Sequence, residues 1–114
     1  MDAEATEPIS IEEFARIDLR VGTIRAAEAH PKADRLLVLQ VDIGEPTPRQ
    51  LVAGIRAAYD PRFLVGRQVV VVANLKPAML RGVESQGMLL AASDNDGLTV
   101  LAPGRRFEPG TKVK

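Results

Sequence analysis

The sequence predicts a small all-β protein, and three observations carry that reading. Short apolar runs recur along the chain, among them Arg35–Val41 (RLLVLQV), Gln68–Ala73 (QVVVVA) and Met88–Ala92 (MLLAA). Each is too short for an ordinary helix and is rich in Val and Leu. Pro- and Gly-containing turns separate them, as in HPKAD (30–34), DIGEPTP (42–48) and SDNDG (93–97). The only stretch with helical character between strands is GIRAAYDPRFLVG (54–66).

In order, residues 1–8 read as a flexible acidic leader and 9–114 as the folded domain. Ser10-Ile-Glu-Glu13 is a capping box, in which the hydroxyl takes a free amide and Glu13 reaches back. One helical turn follows, to about Arg16. Asp18–Ala27 alternates as a first strand, with Gly22 allowing a bend. Arg35–Val41 is the second strand, Gln50–Ala53 the third, Gln68–Ala73 the fourth and Met88–Ala92 the fifth. Leu98–Ala102 reads as a returning strand. Three strands, a short helical connection and two more strands is the order of an OB-fold, a five-stranded, partly open Greek-key barrel. In that fold, the loop between strands 1 and 2 (L12) and the loop between strands 4 and 5 (L45) flank one groove. Here L12 is HPKADR, and L45 runs from Asn74 to about Gln86.

Composition narrows the function. The chain has 114 residues, no Cys and a formal net charge of zero. Without Cys there is no disulfide, thiolate nucleophile or Cys-based zinc site, which fits a reducing compartment. No run approaches the roughly 18 apolar residues of a membrane helix, and the N-terminus lacks the order of a signal peptide. The expectation is a cytoplasmic protein. Five of the 15 acids (Asp2, Glu4, Glu7, Glu12 and Glu13) fall in residues 1–13, while all 15 Lys and Arg fall after them. The body therefore carries a net +5. A basic body suits a polyanionic partner.

Catalytic constellations are sparse. His30 is the only His, and neither Gly-rich phosphate motif is present. DNDG at 94–97 lacks the Gly and Glu that a calcium loop requires and reads as a hairpin turn. The expectation is no metal, no cofactor and no catalysis. What remains is polar and basic residues in the two converging loops: His30, Lys32 and Arg35 in L12, and Asn74, Lys76, Arg81, Ser85 and Gln86 in L45. Lys and Arg neutralise phosphates; Asn, Ser and backbone amides fix position on phosphate and sugar. The four aromatic residues (Phe14, Tyr59, Phe63 and Phe107) all lie outside these loops. That favours a folded RNA, recognised by shape, over a stacked single strand or DNA.

From about Ile9 to Lys114 the chain resembles the tRNA-binding domain found as a small stand-alone protein and at the C-terminus of bacterial methionyl-tRNA synthetases. The matching residues are FARIDLRVG (14–22), HPKADRL (30–36), VDIGE (41–45), VAGI (52–55), LVGRQV (64–69) and, above all, NLKPAMLRGVESQGM (74–88). The resemblance implies an OB-fold with extra terminal elements that join a homodimer. It also implies non-catalytic tRNA binding, alone or with a synthetase. Arg35, Asn74, Ser85 and Met88 match family contact positions, and Lys76 and Arg81 lie beside them. One departure is Ala78-Met79-Leu80, where relatives commonly carry a basic residue. The alternative is an export-related chaperone of the same dimeric architecture, in which L45 reads NFPP and AGFKSE.

Overall fold

The computed structural model describes residues 6–114, so the first five residues of the expected leader lie outside the described residues. The chain begins with α1 (Ile11–Phe14), and the expected capping box is present. Ser10 Oγ accepts from Glu13 N at 3.0 Å, and Glu13 Oε1 accepts from Ser10 N at 2.9 Å.

The barrel follows. β1 (Leu19–Ala29) pairs antiparallel with β2 (Leu37–Asp42), which pairs with β3 (Arg49–Ala53). β4 (Gln68–Val72) returns to the other side of β1, Leu19 opposite Val72 and Thr23 opposite Gln68. The eleven-residue β1 thus serves both halves of the barrel. Its register with β2 shifts between Ile24 and Ala26, and this bulge bends the strand. Gly22 has a different role from the expected bend: a Cβ there would lie 2.6 Å from Val41 Cγ1. It is a close-packing position.

L45 is more than a loop. It contains a hairpin, β5 (Ala78–Leu80) with β6 (Val83–Ser85). Arg81 and Gly82 form its two-residue turn with φ of 52° and 88°, the signature of a type I′ hairpin turn. The expected fifth strand is split. β7 (Met88–Leu89) pairs with β4, and β8 (Ala91–Asp94) turns away to pair with β9 (Gly97–Val100). Asp94 Oδ1 accepts from Asp96 N and Gly97 N and closes that hairpin. The 54–66 stretch is less helical than its composition suggests, with a single 3-10 turn at Pro61–Phe63 capped by Asp60. β10 (Lys112–Val113) adds to the free half of β1.

Alternation sorts the side chains. Leu37, Leu39, Val41, Leu51, Val69, Val71 and Leu89 point inward with Ile24 and Leu64. Leu19, Val70 and Val72 point outward, where Phe14, Leu90 and Val113 cover them. β4 is therefore buried on both faces, which is why it reads as an unbroken apolar run rather than an alternating one. No helix among the described residues is long and apolar enough to cross a membrane.

Candidate nucleic-acid interface

L45 is held at both ends by one side chain that the sequence did not single out. Arg49 Nη1 donates to Ala73 O and to Gln86 O, the residues that open and close the loop. Glu45 orients this guanidinium with two bonds of 2.9 Å. The pair is charge-assisted and bidentate. The hydrogen bond from Arg49 holds the Glu45 carboxyl below its usual range, and that from Glu45 raises Arg49. The only sequence signal for this clamp is the i, i+4 spacing of Glu45 and Arg49, which is common on any surface.

Several expected contact residues build the loop. Ser85 is buried; its hydroxyl accepts from Val52 N at 3.0 Å and donates to Gly87 O at 2.9 Å. Gln86 pairs with Gln50 through its own amide (Gln86 N to Gln50 O, 2.7 Å) and through its side chain (Gln50 N to Gln86 Oε1, 3.0 Å). Together they satisfy the free edge of β3 and close the barrel where no regular strand pairing reaches. Asn74 stitches L45 to the entry of β1: Oδ1 accepts from Asp18 N at 2.8 Å and Nδ2 donates to Arg16 O at 2.6 Å.

His30 is buried although it lies in the Pro-containing L12. Its Nδ1 accepts from Lys32 N at 2.9 Å, so the ring proton sits on Nε2, which donates to Leu80 O at 3.0 Å. The bond runs from L12 to the last residue before the hairpin tip. It brings Lys32 and Arg35 to the side of the molecule that carries Arg81. Arg56, which sequence reasoning missed, joins them: its amide donates to Arg35 O at 3.3 Å.

Lys32, Arg35, Arg56, Lys76 and Arg81 are all exposed and form no ion pair among the described residues. By contrast Arg20, Arg25, Arg49, Arg62 and Lys112 are each matched to a carboxylate. Five of the ten cations without an ion pair among the described residues thus lie on L12, L45 and the chain just after β3; the other five are Arg16, Arg67, Arg105, Arg106 and Lys114. The structure does not bring all expected residues to one point. Asn74 and Met88 lie at the base of the hairpin, where with Phe14, Ile17, Leu75 and Leu90 they line a shallow groove of about 630 Å³. Arg81 lies at the opposite end of the hairpin, and Lys76 two residues before β5 begins.

Residues 19–112 match the family model described as "Putative tRNA binding domain". The methionine–tRNA ligase of Deinococcus radiodurans is 55% identical over 107 residues, 93% of this chain and 16% of that enzyme. That of Thermococcus kodakarensis is 48% identical over 113 residues, 99% of this chain and 15% of that enzyme. The chain thus spans about one sixth of these relatives. Among solved structures, a MetRS-related protein from Pyrococcus horikoshii superposes with a TM-score of 0.87 at 34% identity, covering 96% of this chain and 100% of that one. The chaperone CsaA from Bacillus anthracis superposes at 0.85 and 31% identity, covering 95% and 100%. With the match covering nearly the whole barrel, the chain belongs to the tRNA-binding domain family.

Proposed function

We propose that this chain binds folded tRNA as a non-catalytic module and recognises its shape and backbone with little regard to sequence. The observation that supports the reading is the His30–Leu80 bond, which joins L12 to L45, the two loops that hold Lys32, Arg35, Lys76 and Arg81, all exposed and without an ion pair among the described residues. Lys32, Arg35, Arg56, Lys76 and Arg81 serve as phosphate partners. Ser85, Gln86, His30 and Asn74 act mainly by shaping the loops that present them. The module works alone or as the tRNA-binding part of a methionyl-tRNA synthetase, in the cytoplasm.

The same reading includes a homodimer. Ile9, Ile11, Ile17, Leu75, Met88 and Leu101 are large apolar residues left exposed. Several line the groove between α1 and the base of L45. Burying side chains of this size contributes about 1.5–3 kcal/mol each, and a two-fold contact covers the same patch on both copies.

Fluorescence anisotropy with a tRNA transcript over a salt series tests the binding. Log affinity is expected to fall with log salt by roughly 0.7–0.9 per neutralised phosphate. Arg35→Gln is expected to weaken all tRNAs alike and flatten the slope. Equal competition by heat-unfolded RNA, or preferential binding of an unfolded peptide, refutes the reading. Sedimentation equilibrium tests the dimer. A species at the 12.3 kDa monomer mass at micromolar concentration refutes it.

A further inference from the structure

Beyond the L12–L45 rim, the molecule carries a second concentration of cations, and it is organised around aromatic rings. Three of the four aromatic residues have an Arg guanidinium stacked on them. Arg105 lies 4.1 Å from the Phe107 ring centroid, Arg67 lies 5.3 Å from Tyr59, and Arg62 lies 5.6 Å from Phe63. Phe14 packs on the barrel, and Tyr59 is half-buried against the core with its hydroxyl accepting from Val100 N, so only part of the Tyr59 ring faces outward. All three pairs fall on the 54–67 connection or the C-terminal tail.

These segments form one surface. Arg106 Nη1 donates to Gly66 O at 3.0 Å and ties the tail to the connection. The buried Gln68 grips Phe107 on both sides of its backbone: Nε2 donates to Phe107 O at 2.6 Å, and Phe107 N donates to Oε1 at 3.0 Å. Phe107 is therefore fixed rather than trailing. Arg67, Arg105 and Arg106 form no ion pair among the described residues. Phe63 is 71% exposed, with Arg62 over its ring. A guanidinium stacked on a ring can still offer its N–H edge to an anion; Arg62 gives that edge to Asp60, whereas Arg67 and Arg105 have no carboxylate partner among the described residues.

We infer that this surface is a second RNA-binding site, which takes unpaired nucleotides by stacking bases on the Arg-covered rings and binding their phosphates with Arg67, Arg105 and Arg106. Bases splayed out of a folded RNA stack on aromatic rings and on guanidinium planes alike. L12 and L45 carry cations but no exposed ring, so that rim is the better fit for backbone phosphates, and it adjoins the ring-bearing surface where Arg56 and Tyr59 line one hollow. The two surfaces divide the work: one takes the folded backbone, the other the unpaired residues of the same molecule. The inference rests on the tRNA-binding reading.

The test uses the full chain with two probes, a tRNA transcript and an unstructured 12-nucleotide RNA. Phe63→Ala and the double variant Arg105→Gln/Arg106→Gln are each expected to weaken the short RNA about fivefold or more. The double variant is also expected to lower its salt slope by roughly 0.7 per lost phosphate contact. Lys76→Gln/Arg81→Gln is expected to weaken the tRNA and leave the short RNA largely unaffected. Should the variants misfold by circular dichroism, ultraviolet cross-linking of the wild-type chain decides: peptides containing Tyr59, Phe63 or Phe107 are expected to cross-link. If tRNA binds but cross-links fall only in L12 and L45 and the ring-surface variants bind both RNAs as wild type does, the inference is overturned and the tRNA reading stands. If the short RNA binds through this surface and tRNA does not bind, the tRNA reading falls and the inference survives. Failure to bind either RNA overturns both.

Discussion

His30 Nε2 donates to Leu80 O across 50 residues of sequence and joins the two loops of the candidate interface. The ring is buried, and its other nitrogen is taken by Lys32 N. His30→Ala strands Leu80 O and leaves a void, so a loss of about 1–3 kcal/mol is expected in urea unfolding. Hydrogen exchange at Lys32 N is expected to accelerate, and tRNA affinity to fall although no charge is removed. Unchanged exchange at Lys32 would show that the loops are held by other means.

Arg49 is the next lever. Arg49→Ala releases both Ala73 O and Gln86 O and leaves Glu45 without its partner. Stability is expected to fall by about 1–3 kcal/mol, with exchange rising between residues 74 and 86 while β1 and β2 stay protected. Glu45→Gln, which keeps an acceptor for Arg49, is expected to cost less. Equal effects of the two variants would place the energy in the ion pair rather than in the clamp.

Gly110 docks the C-terminal tail. Its φ is +91°, and a Cβ there would lie 2.5 Å from Ile43 O. Gly110→Ala is expected to detach residues 103–114, removing the β10–β1 pairing, and to expose Leu19. Limited proteolysis reads this directly: cleavage near Arg105 and Arg106 should appear in the variant well before the barrel is cut.

Four carboxyls shape the acid side of the stability profile, with Asp60 held down to about 2 by its hydrogen bond from Arg62 but screened by solvent. The Arg20 hydrogen bond holds Asp18 below the usual range, the Gly44 amide does so for Asp42, and Arg49 does so for Glu45. Each folded-state value lies below its unfolded value, so each contributes stability in full above about pH 4–4.5 and loses it as pH falls through the folded value. Urea midpoints are expected to be flat from pH 7 to about pH 5 and to drop below about pH 4. Asp42→Asn should flatten part of that drop.

What the sequence by itself determined is what depends on neighbours in the chain. The capping box at Ser10–Glu13 is a contact over three residues, and it is present. The five barrel strands are legible because each carries its own apolar pattern, and the order of elements is that of the OB-fold. The ends of the fifth strand were not legible: MLLAA is one apolar run, yet Leu90 marks a break where β8 leaves the barrel to pair with β9. The hairpin inside L45 was also missed, since its strands are three residues long and no run reveals them.

The tertiary structure alone decided which polar residues of the loops bond across the fold and which are left exposed with no ion pair among the described residues. Ser85, Gln86, Asn74 and His30 read as contact residues because they are polar and lie in the expected loops, and in the structure each also bonds a distant part of the chain. Their partners, Val52, Gln50, Asp18 and Leu80, lie 33 to 56 residues away. A side chain that bonds a distant backbone group leaves no local pattern, because any polar residue of the right reach would read the same way. The same holds for Arg49, whose acceptors Ala73 O and Gln86 O lie 24 and 37 residues away.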